Sequence, residues 1–157
     1  MSQSRNPIAL DPGELDEDQH SDYPQPHREA VRGRARRVLG DPFGLTQFGV
    51  NLTRLPPGAM SAQRHWHSHE DELVYLLDGE VVLVTDAGET PLEAGMCAGF
   101  PANSGDGHHL VNRSDRDALY LEIGSRRPDQ DVVTYTDIDM VFQAATGAFF
   151  RKSGEPY

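Results

Sequence analysis

From Phe43 onward, short runs rich in β-branched and aromatic residues alternate with turn-forming ones: "LTQFGVNLTRL", then "PPG", then "ELVYLLDG", "EVVLVT", "DAGE", "TPLEAG", "MCAGF", "HHLVN" and "ALYLEIG". Strands at such close spacing, separated by Gly, Pro, Asn and Asp, predict an antiparallel sandwich or barrel. No segment before about residue 130 carries a 3.6-residue apolar period. The fold class is therefore all-β. The tail "YTDIDMVFQAATGAFFRKSGEPY" is ambiguous, because "DMVFQAA" suits a short helix or an edge strand, while "SGEPY" reads as loop.

The first 40 residues read differently. They combine an acidic block, two close prolines and five arginines between Arg28 and Arg37, with few large apolar side chains. This is the pattern of an arm, solvated or docked as a strand on an acidic body, and no chemistry is assigned to it. The expected organisation is an arm over 1–40, a β-barrel over 41–128 and a C-terminal extension over 129–157 that packs on the barrel.

Length and charge narrow the picture. With 157 residues the chain fits one domain. The 14 basic and 25 acidic residues give a formal charge of -11, which opposes non-specific binding to nucleic acid or to an anionic membrane. Cys97 is the one cysteine, so no internal disulfide can form; it reads as core filler. No apolar run approaches the roughly 20 residues that cross a bilayer, and no leader pattern opens the chain, so the expected compartment is the cytoplasm.

The chemistry concentrates in "RHWHSHEDELVYLLDGE", where three histidines and three acids fall between His65 and Glu72. In an extended strand His65 and His67 project from one face and Trp66 from the other. Two imidazoles side by side can share a metal. A turn around Ser68 to Asp71 would let Glu72 return to that face, with Val74 and Leu76 walling the cavity beside it. The competing reading is a set of exposed charges, solvated at a strand end. Further along, "HHLVN" places His108 and His109 on opposite faces of a strand, so at most one of them faces the same interior.

These residues resemble the two motifs of the cupin superfamily. The first, G-(x)5-H-x-H-(x)3-4-E-(x)6-G, is matched by Gly58, His65, His67, Glu72 and Gly79, with one extra residue before His65. The second, G-(x)5-P-x-G-(x)2-H-(x)3-N, is matched by Gly95, Pro101, His108 and Asn112; Asn103 stands at the motif glycine, and "SGDG" lengthens the following loop by two residues. The resemblance implies a single jelly-roll barrel, a homodimer formed through strand edges, and a divalent metal held by His65, His67, Glu72 and His108. A set of three imidazoles and one carboxylate suits Fe(II), Mn(II), Ni(II), Co(II) or Zn(II), and affinity order does not choose among them. His109 faces away and packs elsewhere.

The function expected from the resemblance is metal-dependent isomerase or lyase chemistry on a small sugar-phosphate-like or carboxylate molecule, with His69 as candidate acid or base. Tyr75, a second candidate base, alternates to the face opposite Glu72, where core packing is its expected role. Two alternatives stand beside this: an Fe(II) dioxygenase, and a non-catalytic cupin that binds or senses a small molecule. The chain has no room for a helix-turn-helix, so direct reading of DNA is not expected.

Overall fold

The computed structural model describes residues 6–157, so the first five residues of the predicted arm lie outside the described part. Twelve strands form the body, and among the described residues the only helical elements are three short 3-10 turns. One five-stranded antiparallel sheet takes the order β1 (Ala35–Val38), β2 (Phe48–Leu55), β9 (Ala118–Ser125), β4 (Glu72–Asp78), β7 (Cys97–Phe100). Facing it are a three-stranded sheet, β6 (Gly88–Glu93), β5 (Glu80–Thr85), β8 (His109–Val111), and a four-stranded one, β12 (Ala148–Phe150), β11 (Met140–Gln143), β10 (Val132–Tyr135), β3 (His65–His67). A two-hydrogen-bond bridge between His65 and His108 stitches these two together, completing an antiparallel β-barrel.

The alternation seen in the sequence sets which side chains enter the barrel. Along β4, Glu72, Val74 and Leu76 point inward, while Leu73, Tyr75 and Leu77 point outward at 39%, 41% and 42% exposure. The main core joins Leu55, Leu76 and Tyr120 of the large sheet to Val81, Leu83 and Leu110 of the small one. A second cluster, Val133, Tyr135 and Met140 with Phe142 and Phe149, lies under the C-terminal strands, and Tyr23 of the arm packs into it.

Gly79 turns the chain from β4 to β5 with φ +82°, and a Cβ there would lie 2.8 Å from both the Ala118 Cα and the Asp117 carbonyl. A left-handed backbone pressed against a neighbouring strand accepts only glycine, which accounts for the motif residue.

Several expectations change at this level. Tyr75 does face away from Glu72, but it lies on the solvent side of the sheet and not in a core. Cys97 is exposed for the same reason, being opposite Tyr75 on the outer face of β7. "DMVFQAA" forms strand β11, and that strand is internal, between β10 and β12. Within the stretch read as arm, Ala35–Val38 is a strand of the main sheet, and the Asp18 backbone bridges to Arg36 on its outer edge. Strand edges left unpaired invite association, so this return of the arm protects one side of the sheet. The opposite edge, β7, has no strand beyond it among the described residues.

Candidate functional site

Strand β3 pairs with β10, placing His67 opposite Val133 and His65 opposite Tyr135, so both imidazoles share the inner face with buried neighbours. The chain then bends through Ser68 to Asp71, where the Asp71 N–H donates to Ser125 Oγ and the Asp71 carboxylate accepts from the Ala102 N–H. This returns Glu72 to the same interior at the head of β4. Its cross-strand neighbour is Gly124, where a Cβ would come within 3.8 Å of the Glu72 side chain. Asn103, at the position of the motif glycine, has φ +58°, a conformation that asparagine tolerates better than most residues, and its N–H donates to the His67 carbonyl at 2.7 Å.

Three histidines surround one carboxylate oxygen. Glu72 Oε2 lies 2.8 Å from His108 Nε2, 3.4 Å from His67 Nε2 and 3.6 Å from His65 Nε2. The ligand atoms of His65, His67 and Glu72 all fall within 4.8 Å of one another, and His108 reaches the group through its contact with Glu72. Orientation is fixed from behind: His65 Nδ1–H donates to the Gln63 carbonyl at 2.8 Å, and His67 Nδ1–H donates to Asp131 Oδ2 at 2.7 Å. Phe100 stacks on the His108 ring with centroids 3.5 Å apart.

These contacts decide which nitrogens are free. With Nδ1 protonated on His65 and His67, each Nε2 turns a lone pair toward an anionic oxygen, which is unfavourable unless a positive species lies between them. A divalent cation satisfies that arrangement, and imidazole plus carboxylate is a donor set suited to first-row transition metals and zinc. The buried Nδ1 of His108, without a protein partner, leaves Nε2 as the nitrogen that meets the group.

The electrostatics agree. Burial opposes charge on Glu72, but the His108 hydrogen bond and the adjacent His65 and His67 outweigh it and hold the carboxyl well below its usual range. Burial alone would push the His67 ring down; the Asp131 hydrogen bond and the charges of Glu72, Asp131 and Glu70 reverse this and hold it above its ordinary value. The Glu70 carboxyl is pushed up, first by burial and then by the neighbouring acids.

Of the residues singled out in the sequence, His65, His67, Glu72 and His108 come together. His69 does not join them: it is exposed, its ring Nδ1 pairs with Ser68 Oγ at 2.8 Å, and its backbone N–H donates to Asp131. His109 packs at the side, with Nδ1 bonded to the Ala62 carbonyl. Asp131 is the residue sequence reasoning missed. It is 3% exposed, lies 64 positions beyond His67 and locks its tautomer. Nothing in its local sequence marks it, because the contact exists only once β10 pairs with β3.

His65, His67 and Glu72 open onto a cavity of about 310 Å³. One wall comes from the barrel (Asn51, Ser61, Glu122), another from the arm (Tyr23, Arg34, Arg36) and a third from the C-terminal strands (Tyr135, Phe142, Phe149). Glu122 faces it while accepting from Tyr120 Oη at 3.3 Å and Asn51 Nδ2 at 3.4 Å. Among the described residues, no helix is long and apolar enough to cross a membrane.

Comparison with known proteins agrees with this architecture. The cupin domain family matches residues 51–124, the segment from within β2 to near the end of β9. A sugar phosphate isomerase from a cupin superfamily of Silicibacter pomeroyi superposes with TM-score 0.89 at 45% identity, over 95% of this chain and 96% of that one. A proposed sugar phosphate isomerase of Acidithiobacillus ferrooxidans gives TM-score 0.69 at 32% identity over 74% of each chain. The polyketide cyclase RemF of Streptomyces resistomycificus gives TM-score 0.67 over 83% of this chain and 85% of that one, and at 18% identity its likeness concerns the fold alone. No curated protein matches. With both motifs folded onto one barrel interior and a relative alike over nearly its whole length, the chain belongs to the cupin superfamily.

Proposed function

We propose that this protein is a metal-dependent isomerase or lyase acting on a small sugar-phosphate-like molecule, with His65, His67, Glu72 and His108 as the metal ligands. The observation that carries this reading is the convergence of three imidazole Nε2 atoms on Glu72 Oε2 at the base of a cavity sized for a small molecule. The similarity to the sugar phosphate isomerase of Silicibacter pomeroyi supports the substrate class.

When bound, a divalent ion supplies Lewis acidity toward a hydroxyl or carbonyl oxygen. The chain supplies the rest. Gln63 and Asp131 hold two of the ligand rings in a single tautomer, and Phe100 fixes the plane of the third. Glu122 is a cavity carboxylate outside the ligand set and, unlike Asp22, which is largely exposed and paired with His20, it is placed to accept or return a proton on a bound molecule. His69, exposed, is left without a part in this step. The aromatic wall of Tyr135, Phe142 and Phe149 covers the apolar faces of a ligand and limits water.

The test is direct. Protein purified without added metal is analysed for elements, and sugar phosphates and small carboxylates are screened first for thermal stabilisation and then for turnover. The expected result is about one divalent ion per chain and isomerisation or elimination of a stabilising sugar phosphate. Iron together with oxygen consumption would move the assignment to a dioxygenase, and stabilisation without turnover would make the protein a binder.

The assembly proposed is a homodimer, in a reducing cytoplasm compatible with the free, exposed Cys97. Leu73, Tyr75 and Leu77 form an exposed apolar row beside the unpaired edge of β7, a combination that a second copy would cover. Light scattering should give twice the chain mass for the wild type and a shift to monomer for Tyr75→Glu; a monomeric wild type contradicts the assembly.

A further inference from the structure

The five arginines of the N-terminal segment have different fates. Those that point outward have partners: Arg37 lies 3.5 Å from Glu17, and Arg32 lies 3.7 Å from Glu29. Arg28 donates to the Tyr23 carbonyl. Arg34 and Arg36 differ. In the register of β1 on β2, Arg36 sits opposite buried Thr53, on the inward face of the sheet, and Arg34 follows the same alternation one step earlier. Both line the cavity that holds His65, His67 and Glu72.

Arg34 is 6% exposed, yet the one hydrogen bond of its side chain within the protein runs from Nη1 to the Ser61 carbonyl. No carboxylate among the described residues forms an ion pair with Arg34 or with Arg36. Glu122 faces the same cavity and offsets part of their charge from a distance, but its oxygens are engaged by Tyr120 and Asn51. Asp22 stands at the rim, largely exposed and paired with His20. Two like-charged guanidiniums lining one cavity, Arg34 buried and Arg36 half-buried, each with N–H donors that no carboxylate of the fold takes up, are costly unless an anion meets them. Burial, reinforced by the charge of Arg36, disfavours the charged form of Arg34 in the same sense.

We propose that Arg34 and Arg36 form a phosphoryl-binding subsite, so that the N-terminal segment supplies the residues that select a phosphorylated substrate. A phosphate monoester carries close to two negative charges at neutral pH and three acceptor oxygens, enough to engage two guanidinium forks at once. A single carboxylate neutralises only one of them. The phosphoryl group then sits at the arm side of the cavity, and the rest of the molecule extends toward the histidines. This inference rests on the reading of the cavity as a small-molecule site, but not on metal or turnover.

The experiment therefore uses the full chain stripped of metal with a chelator. Inorganic phosphate is titrated while the Nε–Hε resonances of the arginines are followed by NMR, with acetate as the comparison anion. Phosphate should shift the Arg34 and Arg36 resonances saturably, and Arg36→Gln and Arg34→Lys should each weaken binding at least tenfold. Thermal stability without phosphate and metal content after reloading should remain at wild-type levels in Arg36→Gln, whose side chain makes no hydrogen bond in the fold. If Arg34→Lys fails to fold, Arg36→Gln alone decides. Absence of phosphate binding to the stripped protein, binding that appears only with metal, or binding unchanged by Arg36→Gln overturns the subsite. Acetate binding as tightly as phosphate overturns the phosphoryl assignment. Loss of the proposed isomerase or lyase activity with these results intact would count against the catalytic reading alone.

Discussion

Replacing His67 with alanine is expected to empty the metal centre while leaving the barrel standing. The variant removes one Nε2 donor and, with it, the link between Glu72 and Asp131, so the loss of affinity should exceed the roughly 10–100-fold that changes to supporting groups typically cost. The fold should persist because the main core, from Leu55 to Tyr120, lies elsewhere in the barrel. Some stability will go: Asp131 keeps its bond from the His69 N–H but loses the imidazole, and a buried polar group left short of a partner costs about 1–3 kcal/mol. Elemental analysis alongside circular dichroism reads both effects. Unchanged metal content in a folded variant would remove His67 from the ligand set.

Asp131→Asn is the sharper test, because it changes almost nothing in volume. The aspartate accepts the His67 Nδ1–H through Oδ2 and the His69 N–H through Oδ1. An asparagine can keep the second contact only by turning its amide nitrogen toward His67, which then has to accept at Nδ1 and carry its proton on Nε2. The ring would present a hydrogen where a lone pair is required. Metal affinity should fall by about 10–100-fold, as for other partners that set ligand tautomers. The imidazole NMR signals should report the exchange of tautomer, which a change in stability alone would not produce. An Asp131→Asn protein with wild-type metal affinity and an unaltered His67 tautomer would reduce Asp131 to a packing residue.

The barrel and the shared face of His65 and His67 are readable because both are written as local periodicities, whereas the choice of His108 over His109, and with it the full set of four, rests on the resemblance to the cupin motifs. Alternation along β4 placed Glu72, Val74 and Leu76 on one side, and the i, i+2 spacing of His65 and His67 put two rings on one face. Solvent exposure escaped the same logic. Tyr75 and Cys97 lie opposite each other on the outer surface of the large sheet, and alternation tells which face a side chain takes but not whether anything covers that face. Asp131 was invisible because its role depends on a pairing between strands 64 positions apart. The arginines were half visible. Arg34 and Arg36 carry the i, i+2 spacing of a strand, but acidic neighbours made a solvated arm the simpler expectation, and only the pairing of β1 with β2 turned two of the five inward.

The cavity draws its walls from both ends of the chain, while the converging donors lie on the central barrel and its first hairpin. Divided in this way, the molecule lets the N-terminal segment vary, resizing the chamber or altering its charge, without moving a histidine, whereas β10 and Asp131 are tied to His65 and His67. Relatives that keep the central motifs but carry different N-terminal segments would then accept different molecules at a common centre.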